Sequence, residues 1–158
     1  MQGNEKVIEQ LNIALSNEMS AAVQYMVQAE MCASWGYHRL SALTKGRAIE
    51  EMKHAERLIE RVIFLDGMPN VTVPLTPKVG ANVQQQLEID LADESGAIKE
   101  YNDASRICRD AGDAGSKDLF EKMIGDEERH ADFLEQQLHS IKEIGLGAYL
   151  AQQLQGGK

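Results

Sequence analysis

Apolar positions recur at helical spacing in four long runs along the chain. From Asn4 to about Ser34, Val7, Leu11, Ala14, Leu15, Ala21, Ala22 and Tyr25 fall on one stripe of a helix that Asn4 caps and Trp35-Gly36 ends. A second run, from about Tyr37 to Leu65, carries Leu40, Leu43, Ile49, Ala55, Leu58, Ile59 and Val62 and is stopped by Gly67 and Pro69. The third and fourth runs, about 81–110 and 116–143, flank a short Ala-Gly-Asp-Ala-Gly turn at 111–115. Between the second and third, Asp66 to Gly80 contains Gly67, Pro69, Pro74, Pro77 and Gly80, which cannot remain helical but is long enough to run back along a bundle. Gly145 breaks the fourth helix ahead of a brief apolar run, Leu146, Ala148, Tyr149, Leu150 and Leu154. It is too short to stand alone and is expected to dock on its own bundle or on a neighbouring subunit. Residues 1–158 therefore read as a single all-α domain, a four-helix bundle with one long crossover and a short C-terminal fifth helix.

The pattern repeats at a displacement of 76 residues. Leu11/Leu87, Leu15/Leu91, Tyr25/Tyr101, Cys32/Cys108, Gly36/Gly112, Leu43/Leu119 and Leu58/Leu134 are identical pairs at that offset. So are the residues with the most chemistry: Glu18, then Glu51 and His54, match Glu94, then Glu127 and His130. In a helix, positions i and i+3 share a face, so each Glu-x-x-His aims a carboxylate and an imidazole at one point. A duplicated hairpin folded about a pseudo-twofold places matching ligands on opposite sides of a shared centre. A lone Glu-x-x-His reads as a surface ion pair; two copies with matched upstream glutamates read as a metal site. Four carboxylates and two imidazoles are too costly for a bundle core unless cations neutralise them, and two divalent ions do so. Oxygen and nitrogen ligands without thiolate favour iron or manganese, with zinc left open by affinity alone.

Composition narrows the partners. A formal charge of −9 opposes a nucleic-acid groove and suits traffic in cations, or simply a soluble acidic surface. Cys32 and Cys108 are too few and too far apart for a disulfide scaffold and read as small buried residues of a reducing compartment. With no apolar leader after Met1 and no run approaching 18 apolar residues, a cytoplasmic, non-membrane protein is expected.

Asn17-Glu18, Gln24-Tyr25, Trp35-Gly36, Glu50-Glu51-Met52-Lys53-His54-Ala55, Asp66-Gly67-Met68-Pro69-Asn70, Asp90-Leu91-Ala92, Asp126-Glu127-Glu128-Arg129-His130 and Gly145-Leu146 with Tyr149-Leu150 together resemble the bacterioferritin branch of the ferritin family over essentially the whole chain. The ligand composition is also that of ferritin-like di-iron and di-manganese carboxylate bundles. The resemblance implies a ferroxidase that oxidises Fe(II) with O2 or H2O2 and stores ferric mineral inside a homo-oligomeric shell of 24 subunits. It implies two Fe ions per subunit, Glu18 with His54 holding one, Glu94 with His130 the other, and Glu51 and Glu127 bridging. It also implies a haem b shared between two subunits through Met52, which lies about 100° round the helix from Glu51; Met31, on the preceding helix, is placed to line the same pocket. A ferredoxin-type donor would deliver electrons for iron release.

Three features bear on the alternatives. Tyr25, two turns after Glu18, is either a hydrogen-bonding partner of the site or a packed core tyrosine. Where bacterioferritins often place a histidine and acids on the cavity side, this chain has Lys45-Gly46-Arg47, with Glu50 retaining one acid beside the site. A rubrerythrin-like di-iron peroxide reductase uses related helices, but its Cys-x-x-Cys segment and extra glutamate ligand are missing here.

Overall fold

Two asparagines and an aspartate start three of the four long helices as their short side chains dictate; the second starts after Tyr37 without a side-chain cap. Asn4 Oδ1 accepts from the Lys6 and Val7 amides at 2.8 and 3.4 Å, Asn82 Oδ1 from Gln85 at 2.9 Å, and Asp113 Oδ1 from Ser116 at 2.9 Å. The computed structural model describes residues 1–73 and 76–155, so Pro74 of the expected crossover lies outside the described residues. Within them the elements are α1 (Glu5–Ser34), α2 (His38–Phe64), α3 (Val83–Asp110), α4 (Ala114–Ile144) and α5 (Leu146–Gln153). The fourth helix begins earlier than its glycine suggested, because Gly115 sits in its first turn. There the Arg61 guanidinium lies where a Cβ would be, on its way to Ser116 Oγ and Asp113 Oδ1 at 2.9 and 2.8 Å.

The repeat is visible in the turns. α1 and α3 both end on a glycine with positive φ, Gly36 at 87° and Gly112 at 74°, a backbone that favours glycine. The following amides, Tyr37 and Asp113, each reach back 2.9 Å to the carbonyls of Cys32 and Cys108. α1 packs mainly on α2 and α3 mainly on α4, giving two hairpins laid together.

Apolar side chains fill the bundle in two clusters. One contains Val7, Leu11, Leu15, Leu58, Val62, Phe120 and Met123, the other Cys32, Leu40, Val83, Leu87, Leu134, Ile141 and Tyr149. Along each long helix a stretch of buried acid, amide or imidazole lies between its contributions to the two clusters, so the polar layer is held midway along the bundle. α5 docks on its own chain, where buried Tyr149 donates its hydroxyl to Gln137 Oε1 at 3.0 Å. No described helix is long and apolar enough to cross a membrane.

Two residues depart from the apolar stripe expected for α2. Leu43 and Ile49 face outward, as do Met26 and Val27 on α1 and Met52 on α2. The 3.6-residue period turns these positions away from the bundle interior, leaving an apolar outer face on this hairpin.

Candidate metal centre

All six predicted ligand residues come together. Glu18 projects from α1, Glu51 and His54 from α2, Glu94 from α3, and Glu127 and His130 from α4, each buried. Glu18, Glu51, His54 and Glu127 offer ligand atoms within 4.8 Å of one another, and Glu51, Glu94, Glu127 and His130 form a second such group. Glu51 and Glu127 belong to both. Glu127 Oε1 lies 3.2 Å from His54 Nδ1 and its Oε2 3.8 Å from His130 Nδ1, while Glu51 reaches His130 at 3.2 Å and His54 at 3.8 Å. Glu18 approaches only His54, at 3.5 Å, and Glu94 only His130, at 3.6 Å. The two rings lie 6.5 Å apart between centroids.

A second layer of bonds aims these ligands, and every bond in it crosses from one half of the repeat to the other. Tyr101 donates its hydroxyl to Glu18 Oε1 at 2.7 Å, and Tyr25 donates to Glu94 Oε1 at 2.6 Å. His54 Nε2 meets Asp126 Oδ2 at 2.8 Å, and His130 Nε2 meets Glu50 Oε2. An Nε2–H donating to a carboxylate leaves Nδ1 as the inward-facing lone pair, the arrangement that orients metal-ligating histidines. Tyr25 is thus a hydrogen-bonding partner of the ligand layer as well as a buried residue. Asp126, Tyr101 and the bonding role of Glu50 were missed from sequence, although Glu50/Asp126 and Tyr25/Tyr101 stand at the same 76-residue offset as the ligands.

What the layer lacks is as informative as what it has. Glu18 Oε2, Glu51 Oε1, His54 Nδ1, Glu94 Oε2, Glu127 Oε1 and His130 Nδ1, one atom from each of the six residues, are buried without a hydrogen-bond partner. Each such atom costs about 1–3 kcal/mol, more when charged, so six of them grouped together form a donor set that fits cations. Protons otherwise occupy it. Burial, reinforced by Glu51, pushes Glu18 well up, and burial with neighbouring acids pushes Glu127 up to about 11. Burial would lower the His130 imidazole, but the facing carboxylates of Glu51 and Glu94 outweigh it and carry the group up to about 9. His54 is raised further by Glu127, Glu18 and Glu51 against the same burial. Glu51 moves the other way, because contacts with Glu18, His130 and His54 outweigh its burial. A cation entering the centre therefore displaces protons.

Cys32 and Cys108 take no part: they are buried in the two apolar clusters, where burial lifts both thiols to about 11. An all-oxygen-and-nitrogen set results, suited to iron or manganese. A cleft of about 290 Å³ between α1 and α3, lined by Asn17, Gln24, Asp93 and Glu100, leads to Glu18, Glu51, Glu94 and Glu127.

Residues 8–144 match the family model of the ferritin-like domain. A bacterioferritin of Brucella melitensis is 43% identical over 94% of this chain and 92% of its own length. The chain belongs to the bacterioferritin branch of the ferritin family. Bacterioferritins of Rhodobacter capsulatus, 41% identical over 92% of this chain and 90% of theirs, and of Mycolicibacterium paratuberculosis, 36% identical over 96% of each, are similar over the same span. The matches to these bacterioferritins take in most of the bundle, not the ligand motifs alone.

Proposed function

We propose that this chain is an iron-storing subunit that oxidises Fe(II) at the centre formed by Glu18, Glu51, His54, Glu94, Glu127 and His130. The observation that carries the reading is the convergence of one unpartnered ligand atom from each of the six residues in a buried layer. Iron is the substrate here. Two Fe(II) ions supply two electrons, which with two protons reduce O2 to H2O2 or H2O2 to two waters. Glu51 and Glu127, each facing both imidazoles, are the bridging carboxylates; Glu18 and Glu94 are terminal ligands steadied by tyrosine hydroxyls. The acid-lined cleft between α1 and α3 is the entry from solvent, and Asp93 and Glu100 attract the incoming cation.

The ferric product is stored inside a shell of 24 copies in this reading, with 1–158 acting as one domain in the cytoplasm. The outward apolar face of α1 and α2 is where two copies meet. Met52, 39% exposed on that face, would hold a haem b shared by the pair through its neutral thioether sulfur, and the group would supply electron-transfer chemistry there. Met31 lines an outer hollow with Met26 and Val27, and its sulfur also accepts from Gln86 Nε2 at 3.7 Å. The test is an anaerobic titration of metal-free protein with Fe(II), followed by admission of O2 or H2O2 and measurement of particle size. Saturation near two ions per chain, rapid oxidation and a large particle that fills with ferric mineral are expected. Saturation at a different stoichiometry, or oxidation no faster than in buffer, overturns the assignment. Rapid turnover of H2O2 with a reduced donor and no mineral would instead mark a peroxide reductase.

A further inference from the structure

The twofold correspondence of the centre breaks at one charged position. Arg47 on α2 has Met123 as its counterpart at the 76-residue displacement, and Met123 is fully buried in an apolar cluster. Arg47 is half-buried, stands one turn before Glu50 and Glu51, and lays its guanidinium 5.6 Å from the centre of the Phe133 ring, one turn after His130. It thus flanks the Glu94–His130 side of the centre. Among the described residues it forms no ion pair, and its Nε is buried without a hydrogen-bond partner, so its charge is not cancelled at short range. Asp90 lines the same small hollow without pairing with Arg47; its Oδ1 accepts from Gln24 and Gln28 at 3.0 and 2.7 Å. Glu50, beside Arg47 on the helix, is turned to His130.

On the other side the counterpart at the 76-residue displacement, Met123, carries no charge. On that side Arg129 pairs with Asp126 and is 68% exposed, where water screens it.

We propose that Arg47 makes the two halves of the centre unequal, weakening cation binding at Glu94 and His130 so that the Glu18–His54 side fills first. This rests on the six residues holding two ions. A fixed positive charge partly shielded from water, within a few side-chain lengths of a divalent ion, weakens its binding by on the order of tenfold. Arg47 touches neither ion nor oxidant: it is a positioning residue that sets the order of loading through charge.

Cobalt(II) is the probe, because its visible absorption reports ligation without turnover. Anaerobic titration of the assembled protein should show two steps per chain. Arg47→Gln should tighten the second step about tenfold and leave the first nearly unchanged, while Arg47→Lys, which keeps the charge, should retain the wild-type separation. With His54→Ala as background, Arg47→Gln should tighten the remaining step; with His130→Ala it should not. Equal behaviour of the Gln and Lys variants, a shift of both steps together, or an effect in the His130→Ala background overturns the role of Arg47 while leaving a two-ion centre standing. Failure of the unaltered protein to bind two cobalt ions per chain overturns the centre itself, and the inference with it.

Discussion

At the residue scale, the centre is governed by what each ligand's second atom is doing. Asp126 and Glu50 fix the imidazoles, and loss of such a partner typically costs 10–100-fold in metal affinity or activity. Asp126→Asn is therefore expected to slow initial Fe(II) oxidation by roughly that factor with the fold retained, as stopped-flow absorbance and circular dichroism would show. Removing a ligand outright is more severe: Glu94→Ala or His130→Ala should nearly abolish the fast phase yet leave assembly intact, because each also relieves crowding of buried charge. Unchanged fast oxidation in both would refute the ligand assignment. Asp90 offers a pH handle. Burial lifts its carboxyl from 3.8 to about 7 despite the bonds from Gln28 and Gln24, so the folded protein holds this proton more tightly than the unfolded chain. Its contribution is fully favourable below about pH 4 and is lost as pH rises towards 7. Asp90→Asn removes that loss, so its thermal midpoint relative to the parent should be higher at pH 8 than at pH 5; a pH-independent difference would contradict the assignment. The six clustered residues were legible from sequence as one group because the repeat wrote them twice. Tyr101 and Asp126 were not, since their partners lie on the other half and nothing local to either residue announces a contact over more than 70 positions.

At the element scale, the helices were legible because period, caps and breakers agree, and each glycine can be read by its backbone. Gly112 holds a φ of 74° with open space on the side where an added methyl would point, so Gly112→Ala suffers only from backbone strain and should destabilise by about 1 kcal/mol. Gly46 lies within α2 with nothing within 4 Å of where a Cβ would stand. Neither packing nor conformation requires it, and Gly46→Ala should stabilise by about 1 kcal/mol. Thermal unfolding of the two variants should give shifts of opposite sign; a loss at Gly46 would mean that the glycine serves a contact made outside the single chain. Leu43 and Ile49 were misplaced on the buried stripe for a related reason. Apolar character in sequence does not distinguish a residue facing its own bundle from one facing outward, and α2 carries both kinds on adjacent faces.

At the scale of the whole molecule, the exposed apolar band of α1 and α2 makes Met52 the most accessible test of pairing between copies. Met52→Leu keeps the volume and removes the sulfur, so protein reconstituted with haem should lose a bis-thioether spectrum while iron oxidation persists. Retention of the same spectrum would move the axial ligand elsewhere. The polar layer has a further consequence. Because Tyr25–Glu94, Tyr101–Glu18, His54–Asp126 and His130–Glu50 all tie one hairpin to the other, the centre works as a clasp between two near-equivalent pieces of chain. Proteolytic nicking in the crossover should then leave the pieces associated. Their grip should also tighten with metal, since an ion bound only by the joined pair adds its binding free energy to their cohesion. Strength of closure and occupancy of the centre are thus linked, and a denaturation midpoint of the nicked protein would report how far the centre is filled.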